Sequence, residues 1–127
     1  MKLHYFCMEQ SKKFRKVIFY KSYFDDFLVA QTTKVQKKII WTIELIEDLD
    51  MVPEIYLKHL ENTKGLYEIR VQQGKNNYRI FCFFEKEKLI VATTGFYKKT
   101  QKTPIKELQL ALRIKEDYEK EKHTNPK

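Results

Sequence analysis

Apolar positions in this chain change their period twice, and the changes mark its elements. Val17, Ile18, Phe19 and Tyr20 form a short β-branched and aromatic run, the composition of a buried or half-buried strand. A short helical stretch around Phe24 to Leu28 follows. Thr33 and Gln36 then stand at the spacing of a capping box, in which each side chain satisfies a backbone donor at a helix start. Beyond them Val35, Ile39, Ile43, Ile46 and Leu49 recur at intervals of four and three, with Lys37, Lys38, Glu44, Glu47 and Asp48 largely between them. Such a stripe predicts an amphipathic helix that must pack on something. Pro53 closes it, and a connection through Tyr56, Lys58, His59 and Asn62 leads to Gly65.

After Gly65 the period becomes two. Strands are expected at about 67–72, 78–84 and 89–95, and the short turns between them imply an antiparallel meander. A last helix is predicted to start with Thr103 as N-cap and Pro104 at the first helical position, where a missing N–H costs nothing. Ile105, Leu108, Leu112 and Tyr118 supply its apolar side. The reading is an α+β domain: an antiparallel sheet of about four strands, two N-terminal helices on one face, and a C-terminal helix. Residues 1–13 read as an accessory arm, 14–121 as the single domain and 122–127 as a frayed polar tail. The sheet face without helices is expected to be open to a ligand.

The hairpin between the second and third strands carries a register. Gly74-Lys75 fits a two-residue type II′ loop with glycine first, so that Gln73 faces Asn76. Counting outward, Val71 meets Tyr78, Arg70 meets Arg79, Ile69 meets Ile80 and Glu68 meets Phe81; a turn centred on Asn76-Asn77 would shift the pairing by four but keep the parity, so both arginines share a face either way. Two guanidinium groups set opposite each other repel, which does not favour the sheet. An anion would relieve that repulsion; so would Glu68 on the same face, bridging to Arg79 in a plain ion-pair cluster. Phe81 and Phe83 share this face and could either stack on a base or support the C-terminal segment.

Charge sharpens the picture. The chain holds 25 Lys and Arg against 17 Asp and Glu, a formal net charge of +8. Residues 69–106 alone contain nine basic and two acidic side chains, a net +7. An excess so concentrated suits phosphate binding, since each neutralised phosphate releases condensed counterions. The two cysteines, Cys7 and Cys82, make no disulfide framework, and a reducing cytoplasm is the simpler reading. No stretch reads as a signal peptide or a membrane helix. His4, His59 and His123 are scattered, no metal-ligand spacing occurs, and neither a metal nor a cofactor is expected.

From Gly95 to Pro104 the chain reads Gly-Phe-Tyr-Lys-Lys-Thr-Gln-Lys-Thr-Pro, which resembles the closing motif of HigB-like, phage-derived toxins of the RelE superfamily. The resemblance continues through Gly65-Leu66-Tyr67-Glu68-Ile69-Arg70 and Tyr78-Arg79-Ile80-Phe81, and covers about residues 14–119. It implies a RelE-like sheet with helices on one side, ribosome-dependent cleavage of messenger RNA, and neutralisation by an antitoxin, often of helix-turn-helix type. Carried over residue by residue, it points to Arg70, Arg79, Lys98 and Lys99 as catalytic. Lys75, Tyr97, Gln101, Lys102 and His59 are the expected RNA contacts. One departure stands out: relatives often place histidine before the motif's glycine, whereas Thr94 precedes Gly95 here.

Cleavage by RNA's own 2′-hydroxyl needs a base, an acid and positive charge for the phosphorane. Arginine stays protonated, so Arg70 and Arg79 suit the clamp, and a lysine crowded by them suits proton transfer. Tyr97 is a further donor candidate and His59 a base candidate. Two rival functions share the same fold: a non-enzymatic gyrase-binding toxin of the ParE kind, and a degenerate toxin that only binds its antitoxin.

Overall fold

The protein is described by a computed structural model covering residues 13–124, so most of the expected arm, with His4 and Cys7, and residues 125–127 lie outside the described residues. Strand β1 (Lys16–Phe19) leads into helices α1 (Tyr23–Val29) and α2 (Thr33–Asp48). Then come β2 (Leu57–His59), β3 (Leu66–Gln73), β4 (Asn76–Lys86), β5 (Leu89–Lys98) and helix α3 (Ile105–Thr124). The strands form one sheet in the order β1-β5-β4-β3-β2.

This α+β arrangement departs from the expected sheet in two ways. It is mixed, because β1 runs parallel to β5, with Val17 opposite Ile90 and Ile18 opposite Val91. It also has a fifth strand, because part of the stretch read as a connection pairs antiparallel with β3, setting Leu57 against Ile69 and His59 against Tyr67.

Helix α2 forms where the apolar stripe placed it. Val35, Ile39, Ile43 and Ile46 are buried against Ile69, Val71, Ile80 and Ile90 on one sheet face, beside Phe24 of α1. Its start differs from expectation by one residue. Thr32 is the N-cap, its hydroxyl accepting from the Val35 amide at 3.3 Å. Gln36 cannot close a box with Thr33, because its amide donates to the Leu28 and Gln31 carbonyls. The far end is held by Arg15, whose guanidinium donates to the carbonyls of Ile46, Leu49 and Asp50. A cation at a helix C-terminus both satisfies orphan carbonyls and complements the macrodipole.

Helix α3 lies on the opposite face, so that face is not left open along its whole length. Ala111 and Ile114 bury Leu66, Phe81, Phe83 and Val91. Phe81 and Phe83 are therefore core residues, 0% and 2% exposed, and cannot stack on a base. The helix begins one residue later than predicted: the Pro104 carbonyl accepts its first bond, from the Leu108 amide. It continues through Lys122 and His123 to Thr124 where a frayed tail was expected. Its last turns are anchored by Glu85, which accepts from the Tyr118 hydroxyl at 2.7 Å and from the Lys122 ammonium.

Tyr118 gives this anchor a pH signature. Burial first, and then the bond to Glu85, push its phenol up to about 12. An unfolded tyrosine loses its proton near pH ~10. Stabilisation by this group is thus complete below about pH 10 and is lost as pH rises through about 12. Thermal melts of the parent and of Tyr118→Phe between those values should show a steeper alkaline loss in the parent; equal slopes would contradict the anchor.

The approach of α1 to the sheet requires a glycine. A Cβ at Gly95 would sit 2.7 Å and 2.8 Å from ring carbons of Phe27 and 3.0 Å from the Arg79 carbonyl oxygen. Gly95→Ala is expected to cost about 1–3 kcal/mol by overpacking, read from denaturant midpoints.

Candidate functional site

The β3–β4 hairpin has the register read from its turn. Gln73 faces Asn76, Arg70 faces Arg79 and Glu68 faces Phe81. Gly74 has φ +65° and Lys75 no positive φ, the pattern of a type II′ turn. Both arginines therefore project from the α3 side of the sheet, beyond the stretch that the helix covers.

A bulge decides which side chain of the closing motif joins them. Ile80 pairs with Gly95 and Cys82 with Ala92, leaving Thr93 and Thr94 of β5 opposite Phe81 alone. The Thr93 hydroxyl donates to the Phe81 carbonyl at 2.8 Å and fixes the irregularity. One extra residue reverses the alternation. Beyond it Phe96 and Lys98, opposite Arg79 and Asn77, turn to the arginine side. Tyr97 turns the other way, its ring 5.4 Å from that of Tyr78 and its hydroxyl donating to Asn76 Oδ1 at 3.0 Å.

The result is a cleft in two joined parts. One, about 230 Å³, is lined by Ile55, Arg70, Val71, Gln72, Asn77 and Arg79. The other, about 310 Å³, runs from Asn77 and Arg79 to Lys98, Lys99, Thr100 and Gln101. Glu68 bridges its two arginines. A single carboxylate oxygen, Oε1, lies 3.6 Å from Nε of Arg70 and 3.6 Å from Nε of Arg79, while Oε2 accepts from the Thr103 hydroxyl at 3.3 Å. A separation of 3.6 Å is an ion pair but no hydrogen bond, and both buried Nε atoms lack a hydrogen-bond partner.

Electrostatics follow from the count of charges: Arg70, Arg79 and Lys98 face the one carboxylate of Glu68. Burial, and then the neighbouring Arg70 charge, lower the Arg79 pKa against the opposing pull of Glu68. Burial likewise holds the Lys98 ammonium below the usual lysine range; Glu68 opposes this and the two guanidiniums add to it. Lys98 Nζ donates to the Gln101 carbonyl at 3.0 Å, which folds the loop after β5 over the cleft.

Of the remaining expected site residues, Lys99 and Gln101 line the second part of the cleft, and the others lie outside its lining. Lys75 is exposed at the hairpin turn, and Lys99, Gln101 and Lys102 are exposed after β5. His59 does not approach the arginines: it pairs with Tyr67, its ring 5.0 Å from that tyrosine, on the α1 and α2 side. Lys86 and Lys88 of the basic tract sit at the other end of β4, about 20 Å from Arg79 at a strand's rise per residue. The residues missed from sequence are Thr103, which orients Glu68, and the bulged Thr93.

Residues 26–116 match the family model of phage-derived Gp49-like proteins (DUF891). The chain belongs to the Gp49-like family. That family is one of toxins associated with toxin-antitoxin systems, and membership implies an antitoxin as partner. The matched span includes every side chain of the Gp49-like cleft, from Ile55 to Thr103. No curated protein matches the chain significantly. Among the described residues no helix is long and apolar enough to cross a membrane, and no cluster of His, Cys, Asp or Glu could hold a metal ion.

Proposed function

We propose that the chain is the toxin of a type II toxin-antitoxin system and acts as a HigB-like endoribonuclease of the RelE superfamily, cutting messenger RNA on the ribosome. The observation that carries this reading is the arginine pair itself: Arg70 and Arg79 line one cleft that continues to Lys98, and the buried Nε of each, ion-paired with Glu68, makes no hydrogen bond within the protein. Buried donors without partners are rare and costly. A phosphodiester seated there would accept from both and would balance the surplus positive charge.

In this mechanism the 2′-hydroxyl gives its proton to water as its oxygen attacks the adjacent phosphorus and the bond to the 5′-oxygen breaks, leaving a cyclic phosphate and a 5′-hydroxyl. Arg70 and Arg79 hold the phosphate and stabilise the charge that grows on its oxygens. Lys98, whose charged form is disfavoured, gives its proton to the departing oxygen. Lys99, Gln101 and Lys102 in the loop after β5, with Lys75 in the hairpin turn, follow the RNA backbone. In this reading the chain works in the cytoplasm and is silenced by a cognate antitoxin.

Glu68 favours one alternative. By bridging both arginines it supplies an internal counter-ion, as suits a degenerate toxin that keeps only antitoxin binding. Inducing the chain in cells and mapping message ends separates the readings. New 5′-hydroxyl ends within translated messages are expected; growth arrest with altered DNA supercoiling and intact messages would point to a gyrase blocker, and no arrest to a degenerate toxin.

A further inference from the structure

Helix α2 buries one stripe and exposes another whose charges run against the helix's own interest. Its first turn holds no acidic residue and its last turn no basic one, the reverse of what the macrodipole favours. On the exposed stripe Lys34 and Lys38 are four apart, as are Glu44 and Asp48, so each pair sets like charges on adjacent turns at a small cost. Between them stands Trp41, 45% exposed, with the Lys38 ammonium 4.7 Å from its ring centroid. Beside it lies a groove of about 370 Å³ lined by Leu28, Lys37, Ile40 and Glu44.

Four charges of this face are symmetric about Trp41: Lys38 and Glu44 each lie three residues from it, Lys34 and Asp48 each seven, while Lys37, which lines the groove, has Leu45 as its counterpart. We infer that this face pairs with a second copy of the chain, the two α2 helices antiparallel across a twofold axis at Trp41. That operation sets Lys38 against the copy's Glu44 and Lys34 against its Asp48, twice over, and stacks the exposed aromatic and aliphatic groups at the centre. Asp48 already meets Lys13 at 3.1 Å, so the inner contacts between Lys38 and Glu44 carry most of the pairing. A twofold contact uses one self-complementary patch, and this stripe is one. The like-charge pairs that weaken the isolated helix become the ion pairs that set partner and register. Lys38 also lines a hollow with Thr42, Tyr56 and Arg70, so the paired face adjoins the first part of the arginine cleft. Two facing helices bury less than a standard interface, and the dimer is accordingly concentration-dependent.

Sedimentation equilibrium of the full chain over a concentration series, without antitoxin, tests this. The parent should self-associate, less so as salt is raised. Lys38→Glu and Glu44→Lys should each weaken self-association by about tenfold or more, because like charges then meet across the axis. Each change also removes a like-charge pair within the helix, so folding is not endangered. An equal mixture of the two variants should form a heterodimer, since positions 38 and 44 of one variant then carry the charge opposite to positions 44 and 38 of the other. A parent that stays monomeric, variants that associate like the parent, or a mixture that does not associate would overturn the inference. A parent that gains mass only on adding antitoxin would assign the face to that partner instead.

Discussion

Replacing Arg79 by alanine is expected to lower RNA cleavage by about 10²–10³-fold, the usual effect of removing one donor that meets developing charge. Growth arrest should vanish with it while antitoxin binding and circular dichroism stay unchanged. The expectation rests on position: the Arg79 side chain is 9% exposed, one guanidinium nitrogen is spent on the Tyr78 carbonyl, and Nε points at no acceptor within hydrogen-bond distance. Arg79→Lys keeps the charge but loses the planar fork and should recover only a minor part of the activity. A folded alanine variant that cleaves as fast as its parent would remove the phosphate clamp from the mechanism.

The second large effect concerns stability. Glu68 is 3% exposed and is the carboxylate between the two arginines. Glu68→Ala leaves two guanidiniums facing each other with no counter-charge, at a cost of about 3 kcal/mol. That is the low end for a buried pair, because the Arg70 side chain remains 29% exposed and partly solvated. If the cleft receives phosphate, inorganic phosphate should restore more stability to the variant than it adds to the parent, at matched ionic strength. Denaturant melts with phosphate or chloride measure this. Equal shifts in both proteins would mean that the site has no affinity for anions.

What could be read from the chain depended on how local the cause was. The β3–β4 register follows from a turn two residues long, and alternation propagates it outward, so the pairing of Arg70 with Arg79 needed no tertiary knowledge. Helix α2 announced itself through four buried aliphatic positions at helical spacing. Strand β2 did not, because three residues with two exposed side chains carry no period and exist only by pairing with β3. The parallel partner of β1 lies in the last strand of the sheet, beyond any local signal. The apolar side of α3 was visible, but which face of the sheet it would cover was not. In the site, shared parity made Glu68 a foreseeable neighbour of the arginines. The choice between Tyr97 and Lys98 depended on a bulge, and nothing in Thr93 or Thr94 marks one.

The parallel pairing of β1 with β5 also sets an order of events during synthesis. Val17 to Phe19 are made before α1, α2 and three further strands, yet the backbone they must bond, Ile90 to Ala92, is made only after them. Until then the sheet lacks its first edge, and Lys98 has not been added to the arginine pair. A contact so distant in sequence slows the final closure of a fold. A chain interrupted before residue 89 therefore holds neither a complete sheet nor a complete cleft.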